Sequence, residues 1–104
     1  MEKIRVIVAD ADLVYSSKRD ENEERSQEKG FELGHNICCC CGKGIKNMET
    51  AKQLHLIEGG EYFTEDKREI NTRTGSEQGW WIVGPACYRK FLKNKKEVEI
   101  VNED

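Results

Sequence analysis

The run Cys38-Cys39-Cys40-Cys41-Gly42 constrains this chain more than any other feature. Four of its five cysteines are contiguous, and the fifth, Cys87, stands 46 positions beyond Cys41. Adjacent cysteines make poor disulfide partners, and an odd total leaves one unmatched. Cys38 and Cys41 have the C-x-x-C spacing, with Gly42 directly after. A bend that aims backbone N–H groups at two thiolates needs a residue free to take positive φ just past the second one. Gly84-Pro85-Ala86-Cys87 opens a predicted helix, with Pro85 suited to its first position. A thiol there meets the positive end of the helix dipole, which favours the thiolate. Two thiolates on a bend and one at a helix start supply three of the four ligands of a tetrahedral zinc site.

The fourth ligand has several candidates. The position three residues after Cys87 is Lys90, which cannot coordinate while charged. His55 comes first, because it lies on the strand face opposite Leu54 and Leu56. His35, three residues before Cys38, is second, and Cys39 or Cys40 third. In an ordinary knuckle Cys39 and Cys40 point outward as exposed thiols. The expected site is therefore Cys38, Cys41, His55 and Cys87 around one structural Zn2+.

With 37% hydrophobic and 36% charged residues among 104, the apolar core is expected to be thin. A metal crosslink compensates, because its binding free energy is folding free energy. No apolar run is long enough to span a membrane, and the charged start does not read as a signal peptide. A cytoplasmic setting, with thiols reduced, is the expectation. Net charge is −3, unevenly spread: −3 over residues 1–34, +4 over 35–96, and four acids without a base over 97–104. The expected division is 1–34, an N-terminal strand and charged arm packing on the core, and 35–104, the zinc domain with an acidic tail.

Along the chain, Lys3–Ala9 alternates as a half-buried strand. Asp10 and Asp12 read as the strand's end or a helix cap, not as an acid/base pair. Residues 16–30 lack any large apolar side chain and read as a solvated helix or loop, with Glu21 and Arg25 at helical spacing. Ala51–Glu58 alternates, Gly59-Gly60 signals a hairpin turn, and Glu61–Thr64 is the return strand. Residues 65–79 look loop-like, and Trp80–Val83 reads as a buried strand. Tyr88, Phe91 and Leu92 supply the apolar face of the helix after Pro85. Glu97–Val101 alternates as a last strand beside Lys3–Ala9. Knuckle, hairpin, strand and helix in this order predict a small α+β, treble-clef-like domain with an added N-terminal strand and polar arm.

Cys38-x-x-Cys41-Gly-Lys-Gly-Ile, then Leu54-His55-Leu56, then Ser76-Glu-Gln-Gly-Trp-Trp-Ile-Val-Gly-Pro-Ala-Cys87 resembles a group of short treble-clef zinc proteins of bacteriophages. The resemblance covers about residues 36–92. It implies the fold, a viral origin, and a ligand role for His55, whose counterpart recurs in the pattern. It implies no activity.

No catalytic constellation accompanies the cysteines, so the expected function is a non-enzymatic zinc-binding module that binds a bacterial host protein. Tyr62, Trp80 and Trp81 are its candidate anchors. The alternative is nucleic-acid binding through a basic helix over 86–96, carried by Arg89, Lys90, Lys93 and Lys96. An enzyme of the nuclease type needs a histidine pair at the metal, which two histidines scarcely allow.

Overall fold

The alternation at the N-terminus becomes the backbone of the main sheet. The computed structural model describes residues 2–57, 60–68, 71–72, 75–76 and 79–102. The chain forms β1 (Glu2–Asp10), α1 (Ala11–Val14), α2 (Arg19–Glu28), a 3-10 turn (Met48–Thr50) and β2 (Lys52–Ile57). After these come β3 (Tyr62–Thr64), β4 (Asn71–Thr72), β5 (Gly75–Ser76), β6 (Trp80–Val83), α3 (Pro85–Lys93) and β7 (Lys96–Asn102). Five strands make one sheet in the order β6-β2-β3-β1-β7, and β4 pairs with β5 in a second, two-stranded sheet. Knuckle, β2–β3 hairpin, β6 and α3 form the treble-clef-like part of this small α+β domain, and β1 with β7 extends its sheet.

Strand register explains the burial. Ile4, Val6 and Val8 alternate with exposed residues along β1 and join Ile57 and Ile100 in one cluster. Ala9, Leu54, Leu56 and Phe63 lie on the other face, in a cluster with Val83, Phe91 and the cysteines. The expected pairing of the last strand with the first is observed, from Glu2 opposite Asn102 to Val8 opposite Lys96. Most of the acidic C-terminal stretch is thus an edge strand. Its Glu97 and Glu99 face Arg5 and Lys3 at 3.6 and 3.8 Å. Residues 103–104 lie outside the described residues.

One local expectation is narrowed and two are revised. Residues 19–28 are helical, and α2 holds to the knuckle by polar contacts: Asn22 Nδ2 donates to the Cys41 carbonyl at 2.9 Å, and Ser26 Oγ to the Gly42 carbonyl at 2.7 Å. The close pair on α2 is Arg19–Glu23, at 3.2 Å. β6 is an edge strand, so Val83 is buried but Trp80 is 41% exposed. The buried face of α3 is Cys87 and Phe91, one turn apart, while Leu92 faces solvent. The predicted Gly59-Gly60 turn lies partly outside the described residues, and β2 and β3 pair antiparallel up to Ile57 opposite Tyr62. Within 65–79, expected as a loop, β4 and β5 pair, and residues 69–70, 73–74 and 77–78 lie outside the described residues.

Candidate metal centre

The knuckle is built by three short backbone hydrogen bonds. Gly42 N–H donates to the Cys38 carbonyl at 2.8 Å, Cys38 N–H to the Lys43 carbonyl at 2.9 Å, and Ile45 N–H to the Asn36 carbonyl at 2.7 Å. Gly42 takes φ +78, as the bend requires, and a Cβ there would press into the Arg19 carbonyl oxygen and the Glu23 amide of α2. The second half of the site comes from α3. Gly84 precedes it in extended conformation, Pro85 opens it, and Cys87 sits in its first turn.

These elements converge. The sulfur atoms of Cys38, Cys41 and Cys87 all lie within 4.8 Å of one another. Cys38 and Cys87 are each 1% exposed. Thiol hydrogen bonds from Cys40, then Cys41 and Cys87, hold the Cys38 thiol far below its ordinary range, and the Gly84 N–H adds to this. The same contacts push Cys87 upward, through Cys38 first, then Cys41 and burial. Cys41 is raised chiefly by its bond to Cys38 and lowered in part by Cys87 and by the Lys43 N–H. A cluster that shares protons among mutually facing sulfurs is one a thiophilic cation can enter by displacing them. Three cysteine sulfurs at this separation can coordinate a metal ion.

No family model, curated protein or solved structure significantly matches the chain. Its site is therefore read from its own geometry.

The structure leaves His55 outside the three-sulfur group. Leu54 and Leu56 pack with the cysteines, whereas His55 alternates with them and shares its face with Ile57, in the cluster on the other side of the sheet. There it is 1% exposed and stacks on Trp80, with ring centroids 4.8 Å apart and planes at 17°. The alternation that separated His55 from the leucine row also turns it away from the sulfurs. His35 is exposed beside Glu32, at 3.9 Å. Cys39 and Cys40 differ from the expected pair of exposed thiols. Cys40 is fully buried in the core and bonds to Cys38, and this contact followed by burial raises its pKa. Cys39 is half-buried, its N–H donating to the Ile82 carbonyl at 2.9 Å.

The remaining candidates scatter. Trp81 packs edge-on against Tyr15 and Phe63, with centroids at 6.4 and 6.1 Å. Tyr62 lies under the Lys96 ammonium. Arg89, Lys90 and Lys93 are exposed on α3, but the helix ends at Lys93. Lys96 belongs to β7 and pairs with Asp10 at 3.0 Å, which raises its pKa. Asn22 and Ser26, which hold α2 to the knuckle, were missed. Their four-residue spacing, on one helix face, is the signal that could have found them.

Proposed function

We propose that this chain is a non-enzymatic interaction module stabilised by one Zn2+ on Cys38, Cys41 and Cys87. The observation that carries the reading is the convergence of those three sulfurs from a bend and a distant helix. Zinc suits soft thiolate donors and imposes no redox chemistry. The clamp stiffens a domain whose surface then meets a partner. The resemblance over residues 36–92 supports only a phage origin. Docking on a bacterial host protein in the cytoplasm rests instead on the small size, the reduced cysteines and the aromatic side chains at the surface. A shallow groove beside β6 fits that role: Trp80 and Trp81 line it together with Arg19, Leu33 and Cys39. Large aromatic side chains make effective anchors because they bury much area for little lost entropy.

The purified chain is expected to carry about one zinc, to lose it in Cys87→Ser, and to unfold on chelation. Folded, metal-free protein would overturn the reading. For the partner, capture from bacterial lysate by the zinc-loaded chain should fall with Trp80→Ala; no stoichiometric partner would count against it. The second reading is nucleic-acid binding, favoured by exposed Arg89, Lys90 and Lys93 on one helix. Its stripe is shortened by the engagement of Lys96 with Asp10. A gel shift absent even at low salt would remove it.

A further inference from the structure

The three sulfurs do not close off their site. They line a cavity of about 210 Å3 that also takes in Lys43, Lys46 and Pro85. A water molecule occupies roughly 30 Å3 of liquid, so the space exceeds what one ion and one water need. Among the described residues no other histidine, cysteine or carboxylate joins the group. His55 is on the far side of the sheet, and Cys40, which bonds to Cys38, falls outside the group of mutually close sulfurs. A tetrahedral ion held by the three sulfurs would have a fourth position with no ligand from the group, and its site would border the cavity.

We infer that this position accepts an exogenous thiolate, from a small thiol or from a cysteine of another chain. The inference rests on the zinc reading above. Three thiolates on a divalent ion leave one net negative charge, and a fourth leaves two. The exposed ammonium groups of Lys43 and Lys46 at the cavity offset that charge. The soft sulfur set favours a further sulfur over water, and Pro85 gives the ligand's carbon chain an apolar wall. The incoming thiol loses its proton to solvent, its sulfur forms the metal bond, and a coordinated water leaves. No oxidation is involved.

The test uses the full chain loaded with Co2+ and kept reduced by a phosphine. Metal content is measured first, then 2-mercaptoethanol or a short cysteine-containing peptide is titrated in. The thiolate-to-cobalt charge-transfer band should grow by roughly one third as three sulfur ligands become four, with cobalt retained. Lys43→Glu/Lys46→Glu, which spares every ligand, should raise the half-saturating thiol concentration several-fold. A response to mercaptoethanol alone assigns the position to small thiols; a response to both extends it to partner cysteines. Cobalt that binds but ignores both thiols overturns the open position while leaving the metal reading intact. So does a four-sulfur spectrum before addition that drops to three in Cys40→Ser. Failure to load cobalt overturns both.

Discussion

The hydroxyl of Ser26 does for α2 what an apolar stripe does for α3. It is 6% exposed and donates to the Gly42 carbonyl at 2.7 Å. Ser26→Ala leaves that carbonyl without this donor, at a cost of about 1–3 kcal/mol. Urea denaturation of the metal-loaded protein should show the loss, with metal content unchanged. His55 offers the sharper test of the site. Because it stacks on Trp80 away from the sulfurs, His55→Ala should keep one metal per chain while losing about 1–3 kcal/mol of stability. Loss of the metal would restore His55 as a ligand. Sequence spacing identified Cys38, Cys41 and Cys87 because a C-x-x-C-G bend and a helix start are local patterns. It did not show that His55 faces away from the sulfurs, since which side of a sheet meets a distant bend is decided by the pairing of strands far apart in the chain.

Strands were easier to read than helices. Period-two alternation in β1, β2 and β7 marked their two faces directly; β1 and β7 bury mainly one face, whereas β2 is covered on both over residues 54–57. Helix α2 carries no such pattern because hydrogen bonds dock it. In β6, four apolar residues in a row suggested full burial, but a sheet edge leaves one side open. The segment after β3 is pinned by charge. Asp66 accepts from the Arg68 amide and guanidinium, and Arg68 also donates to the Arg5 carbonyl at 2.8 Å. The side-chain bond from Arg68 lowers the Asp66 pKa from its ordinary 3.8. A depressed carboxylate stabilises the fold above its unfolded value, and that contribution fades as pH falls through the lower folded value. Solvent around the exposed Arg68 partner screens the pair and keeps this contribution small. An NMR titration should place Asp66 below 3.8 and return it toward that value in Arg68→Gln.

Across the whole molecule, the sulfur cluster joins the knuckle to α3, and Leu54 and Leu56 of β2 pack beside it. An ion there links positions far apart in the chain, which is where a crosslink restricts the unfolded state most. No helix among the described residues is long and apolar enough to cross a membrane. The first and last strands run side by side, with Glu2 opposite Asn102, in the part of the sheet added beyond the treble-clef-like elements. That neighbourhood makes the topology rewirable. Residues 2 and 102 can be bridged by a short glycine-serine linker and new ends cut at exposed Lys46-Asn47, since exposed loops tolerate such cuts. The permuted protein should still take up metal and give the parent's circular dichroism spectrum.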